Sequence, residues 1–346
     1  MEDRTRLLGA VGLTVAMFLL VQLGALALVE PFQRAGYQQV ENPSDPTNSL
    51  LYVGAVLVLT AAMLAIIKLD VQWLLRGGII LTSGLLSWYV FSVVMPAGLA
   101  VTVDGAAVNV LAIGAALAVS VALLVHPEWY VIDATGVIIG AGAAGLFGIS
   151  FGLLPAILLL GVLAIYDAIS VYGTEHMLTL ASGVMDLKIP VVFVVPMTLS
   201  YSYLDAGDDS DGDDDGPADT ESSVGDAEDA AANPDGADAD HPEAERPDIT
   251  DRDALFIGLG DAVMPTVMVA SAAFFADAEP LVSGIALNLP ALTSLLGTMA
   301  GLLVLLWMVL KGRAHAGLPL LNGGAIGGYL IGALASGLTL TQALGL

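Results

Sequence analysis

The sequence predicts an all-α polytopic membrane protein of nine transmembrane helices in the cell membrane, with its N-terminus cytoplasmic and its C-terminus outside. Three observations predict it. Of the 346 residues, 56% are hydrophobic and only 13% charged, at a mean hydropathy of +0.82; a soluble domain has no use for that much apolar surface. The apolar residues also arrive in long blocks, and about 20 of them at 1.5 Å rise cross a hydrocarbon core of ~30 Å. Finally, the basic residues fall almost entirely on one side once the loops are assigned alternately.

The blocks are 7–29, 50–69, 77–95, 106–125, 131–149, 151–173, 254–275, 286–310 and 318–340. The first follows Arg4 and Arg6, is longer than a signal-peptide core and has no A-x-A-like cleavage site after it, so it reads as a retained span. The fifth and sixth are joined by a tight hinge, Gly148-Ile149-Ser150-Phe151-Gly152. One side of the membrane collects Arg4, Arg6, Lys68, Arg76, Lys188, Arg246, Arg252, Lys311 and Arg313, the other only Arg34. A tenth span over 189–204 would spoil this bias. That segment is short and holds Pro190 and Pro196, so it reads as a re-entrant, interfacial or broken piece.

The formal net charge is −25, and 20 of the 35 acids lie in 205–253. That stretch is poor in large apolar residues and rich in Asp, Gly, Ala, Pro and Ser. It cannot bury enough surface to offset its ordering entropy and reads as a disordered, solvated cytoplasmic linker rather than an interaction tail or cleavage loop. Three regions follow: 1–173 with spans one to six, 174–253 as the cytoplasmic connection, and 254–346 with spans seven to nine. The chain has no cysteine, which excludes disulfides, thiolate metal sites and a cysteine nucleophile.

Two residues stand against the apolar pattern. Asp167 lies in the sixth block, in Tyr166-Asp167, and Asp261 in the seventh, in Gly258-Leu259-Gly260-Asp261. A carboxylate within a span costs a few kcal/mol on insertion scales and by default marks a functional site. Two carboxylates that meet share one proton, because like charges about 3 Å apart cannot both ionise. The ionised member activates a water and the protonated one hydrogen-bonds a carbonyl, the chemistry of aspartic proteases. No cofactor, metal or nucleic acid enters this reading. Gly258 and Gly260 leave room beside the carboxylate for a helix or an extended substrate. The Tyr166 phenol either hydrogen-bonds in the site or packs.

At the start of the last block, Gly317-Leu318-Pro319-Leu320-Leu321-Asn322-Gly323-Gly324 admits two readings. Either Pro319 frees backbone groups to pair with an extended substrate strand, or it is an ordinary proline early in a helix. The same carboxylates would also suit a cation or proton-coupled transporter or channel. Such proteins often show two related halves, and the Asp-bearing segments have no repeat in the first five blocks.

Taken in order, Tyr166-Asp167, Gly258-Leu259-Gly260-Asp261 and Pro319-Leu320-Leu321 resemble the intramembrane aspartyl proteases of the presenilin and signal-peptide-peptidase family. That family carries Tyr-Asp in its sixth span, Gly-x-Gly-Asp in its seventh and Pro-Ala-Leu at its ninth. It also has a long hydrophilic loop between the sixth and seventh spans. The resemblance implies an intramembrane endopeptidase with Asp167 and Asp261 as catalytic residues, acting on single-span or signal-peptide substrates in the bilayer. It implies substrate contacts from Tyr166, Gly258, Leu259, Gly260, Leu318, Pro319, Leu320 and Leu321. Leu320 departs from the family's alanine. The orientation looks like the presenilin branch, and the acidic loop and small size look like an archaeal, halophilic member.

Other patterns carry less. Gly148-Ile149-Ser150-Phe151-Gly152 fits G-x-S-x-G, but His126, His176, His241 and His315 all fall in loops or at span ends. Glu175-His176 is not H-E-x-x-H. Asp133 reads as an interface or capping residue, Asp104 as solvated, and Asn288 and Asn322 as glue between helices.

Overall fold

The computed structural model describes residues 2–69, 71–96, 100–103, 106–173, 192–197, 201–202, 254–282, 284–311 and 316–346. The acidic stretch, Asp104, Glu175 and the histidines at 176, 241 and 315 lie outside the described residues. The helices are α1 (Glu2–Arg34), α2 (Thr47–Lys68), α3 (Gln72–Val94), α4 (Val110–Val125), α5 (Trp129–Ser150), α6 (Leu153–Gly173), α7 (Leu259–Phe275), α8 (Leu289–Val309), α9 (Gly317–Ala335) and a terminal turn, α10 (Leu340–Ala343). Seven of them are long and apolar enough to cross a membrane; α4 and α7 are apolar but shorter.

The fold is not purely helical. Two antiparallel ribbons are present: β1 (Ala100–Val103) with β2 (Ala106–Asn109), and β3 (Val192–Pro196) with β4 (Ala254–Gly258). They correct two expectations and give form to a third segment. The block 106–125 begins as strand, and its helix starts only where Asn109 Oδ1 caps the Leu111 N–H at 3.1 Å. The block 254–275 likewise begins as strand, with α7 from Leu259. The piece at 189–204, expected as re-entrant, interfacial or broken, contributes β3. A short apolar run rich in β-branched and aromatic residues, such as Val192-Phe193-Val194-Val195, suits a buried strand as well as a helix.

α5 forms the centre, with 72% of its span buried against 6% for α2. It packs on α1 and α7. At Gly148 an added Cβ would overlap Ala270 of α7, so the two backbones touch. α8 and α9 form the closest helix pair. Added Cβ atoms at Gly297 or Gly324 would each overlap the other's carbonyl oxygen. Small residues allow this approach where lipid supplies no hydrophobic drive between helices. Side-chain bonds join other pairs: Ser49 Oγ donates to the Pro155 carbonyl at 2.6 Å, Ser271 Oγ to that of Phe151 at 2.8 Å, and Asn288 Nδ2 to that of Ala272 at 2.9 Å. Such bonds average about 0.6 kcal/mol each in membrane proteins, so close packing carries more of the cohesion.

The hinge between α5 and α6 is the two residues Phe151-Gly152, held by the Gly152 N–H on the Pro43 carbonyl at 2.8 Å. Ser150, the serine of the G-x-S-x-G string, is buried; it donates to the Leu146 carbonyl and accepts the Gln39 N–H. His126 pairs with the Tyr130 hydroxyl at 2.9 Å, far in sequence from Ser150.

Candidate active site

Asp167 sits near the C-terminal end of α6, and Asp261 in the first turn of α7. Six residues separate Asp167 from the end of α6, about 9 Å at 1.5 Å per residue. Asp261 is therefore not in mid-span, as a helix over 254–275 would have put it. β4 occupies the residues before it and delivers the chain to Gly258, which precedes the helix in extended geometry (φ −59°, ψ 131°).

α9 brings the two carboxylates to one place. The Leu318 N–H donates to Asp167 Oδ2 at 3.1 Å. A Cβ added at neighbouring Gly317 would lie 3.6 Å from Asp261 Oδ2 and 3.3 Å from Leu305 Cδ2. Both carboxylates thus converge on the Gly317-Leu318 peptide. α9 starts at Gly317, so the first N–H groups of the helix have no intrahelical acceptor, and Asp167 takes one of them. Asp167 and Asp261 are each half-buried.

Pro319 lies in the first turn of α9. The segment from Gly317 is helix and does not offer an extended edge. Proline fits there because its fixed φ suits a helix start and its missing N–H would be unsatisfied anyway. Asn322, one turn on, is fully buried and donates to the Leu160 carbonyl of α6 at 3.0 Å, tying α9 to the helix that carries Asp167.

The other expected site residues divide. Gly258 faces the carboxylate, since an added Cβ would lie 3.4 Å from Asp261 Oδ2; Gly260 borders open space. Leu318, Pro319 and Leu320 are half-buried. Leu259 is half-buried, with its Cδ1 beside Gly140 of α5. Leu321 is fully buried in a cluster with Phe193 and Leu302. Tyr166 is 45% exposed on the outer face of α6 beside Ile165 and Ile169, and bonds to neither carboxylate among the described residues. Adjacent helical residues point about 100° apart, so Asp167 can face inward only if Tyr166 does not.

Two features escaped the sequence reading. Gly317 was quoted without a role. Pro265 lies inside α7, four residues after Asp261; having no N–H, it leaves the Asp261 carbonyl without its helical partner. The four-residue spacing alone would have revealed this.

The comparisons with known proteins fit this geometry. The chain is similar to a presenilin family intramembrane aspartate protease solved in the C222 space group, at 31% identity over 95% of this chain and 99% of that one, with a TM-score of 0.61. The likeness to such a protease solved in the P2 space group is 30% over 93% and 96%, with a TM-score of 0.57. No curated protein sequence matches. The protein is an intramembrane aspartate protease, a peptide hydrolase that crosses the membrane several times. It belongs to the family described as signal-peptide peptidase, presenilin aspartyl protease, which it matches over residues 15–338. The transporter reading finds no support in these matches.

Proposed function

We propose that Asp167 and Asp261 are the catalytic pair and hydrolyse peptide bonds within single-span or signal-peptide segments. The observation that carries this is their convergence on the Gly317-Leu318 peptide. Asp167, already receiving an N–H, holds the negative charge and takes a proton from water. Protonated Asp261 hydrogen-bonds the substrate carbonyl. The water oxygen bonds to the carbonyl carbon, and a proton then passes to the leaving nitrogen as the C–N bond breaks.

α2, the least buried span, contacts α6. A substrate helix coming from the lipid meets the exposed α6 face at Ile165, Tyr166 and Ile169 before it reaches Asp167. Gly258 and Gly260 give room on the other side, and Leu318, Pro319 and Leu320 border the substrate. Leu320 in place of alanine narrows that border. α1 to α9 are nine spans, with the N-terminus cytoplasmic and the carboxylates near the cytoplasmic ends of their helices.

The test is cleavage of single-span peptides by purified protein in bilayers. Wild type should cleave, and Asp167→Asn and Asp261→Asn should be silent while melting like wild type. Cleavage by either variant would remove that residue from the pair.

A further inference from the structure

A third carboxylate lies buried outside the pair. Asp133, in the second turn of α5, is 7% exposed. Its Oδ1 accepts the main-chain N–H of Val194, in the middle of β3, at 2.8 Å. Its Oδ2 has no partner among the described residues. One turn along α5, a Cβ at Gly136 would stand 2.9 Å from Cε1 of Phe193, so this fully buried ring rests on the α5 backbone. α5 therefore grips β3 twice, by the backbone of Val194 and by the ring of Phe193. Just before α5, Glu128 Oε1 also accepts the Ser202 hydroxyl at 2.8 Å, holding the chain after β3 to the same helix end.

This grip reaches the carboxylate pair through the sheet. Val194 stands opposite Phe256 and Val192 opposite Gly258. Gly258 ends β4, and α7 with Asp261 in its first turn follows at once. A buried main-chain N–H must find an acceptor, and the Asp133 side-chain oxygen supplies it for Val194. Leaving a buried oxygen unpaired costs stability, a cost expected where placement matters more than stability.

We propose that Asp133 is a positioning residue for proteolysis: by anchoring β3 to α5 it fixes β4, and so the placement of Asp261 against the scissile bond. This rests on the assignment of Asp261 to the catalytic pair. Asp133 touches no reacting atom. Its acceptor oxygen is what counts, and asparagine supplies the same oxygen.

The experiment compares wild type, Asp133→Asn, Asp133→Leu and Gly136→Ala, with Asp261→Asn as the control. It reads kcat, KM, melting temperature and, by mass spectrometry, the bonds cut in a single-span peptide. Asp133→Asn should stay within about threefold of wild-type kcat and cut the same bonds, since its acceptor remains. Asp133→Leu should lose at least about tenfold in kcat, since a full ångström of misplacement costs about 100-fold. Its product ends should spread to neighbouring bonds at nearly unchanged KM. Gly136→Ala displaces Phe193 and should spread the products likewise, giving a second reading if the leucine variant does not fold. Amide exchange over 192–197 should quicken in Asp133→Leu and not in Asp133→Asn.

Wild-type kcat and cleavage bonds in folded Asp133→Leu would overturn the proposal, as would equal damage by asparagine and leucine or losses that only follow melting temperature. If those results came with a silent Asp261→Asn, only the positioning role would fall. Cleavage by Asp261→Asn would bring down the catalytic assignment and the positioning role with it.

Discussion

The Leu318 N–H and the Asp167 carboxylate, 151 residues apart in sequence, meet at 3.1 Å, and the residue before Leu318 is the glycine that borders Asp261. A Cβ at that glycine would lie 3.6 Å from Asp261 Oδ2 and 3.3 Å from Leu305 Cδ2, so a branched side chain there crowds the carboxylate. Gly317→Val would put methyl groups where water and substrate must sit. The expected outcome is a loss of about 100-fold in kcat, the scale of an ångström's misplacement, with the melting temperature within a few degrees of wild type. A valine variant at full activity would show that the reaction takes place elsewhere.

A pair that works with one proton between them has two inactive states. Both carboxyls are protonated in acid, which removes the base; both are ionised in alkali, which removes the donor. The rate for a substrate without titratable groups should therefore be bell-shaped in pH. A profile with a single limb would mean that only one carboxylate titrates in the cycle.

Pro265 withholds an N–H from the Asp261 carbonyl. Pro265→Ala restores the donor and completes the helical ladder, so the melting temperature should rise. If the free carbonyl serves the substrate, kcat/KM should fall at the same time. A variant that is more stable and equally active would show that the proline has no part in the reaction.

The natural chain contains no cysteine, so single cysteines can be labelled without background. Gln38 lies exposed between α1 and α2, and Lys311 beyond the end of α8. With the N-terminus cytoplasmic, a membrane-impermeant maleimide added to intact cells should label Gln38→Cys and not Lys311→Cys. The opposite pattern would invert the topology.

The spans were legible in the sequence because a bilayer imposes a length that hydropathy reveals directly. The two aspartates were legible for the complementary reason, that a charge inside an apolar run needs a cause. The residues 254–258 were not legible as a strand: Ala254-Leu255-Phe256-Ile257 continues the apolar run of α7 without a break, and its partner β3 lies on the far side of the acidic stretch. Leu259 and Leu321 enter the site reading through the family's motifs; in the structure Leu321 is fully buried and Leu259 partly so, packed against core clusters. Asp133 was placed as an interface or capping residue, but its partner, 61 residues on, follows from no local rule.

The pairing of Pro196 with Ala254 closes the chain on itself at both ends of the stretch between them. The closure entropy of such a loop grows only with the logarithm of its length, so each doubling of the insert costs the strand pairing only about 0.6 kcal/mol. The two halves also pack directly on each other, α5 against α7 among them, so covalent continuity through 205–253 is expected to be dispensable. Two polypeptides, 1–204 and 252–346, should reassemble when co-expressed and regain proteolysis that neither has alone; failure of the halves to associate would show that the intact connection is needed. On reassembly the enzyme behaves as a split protein translated as one chain, with one carboxylate in each half.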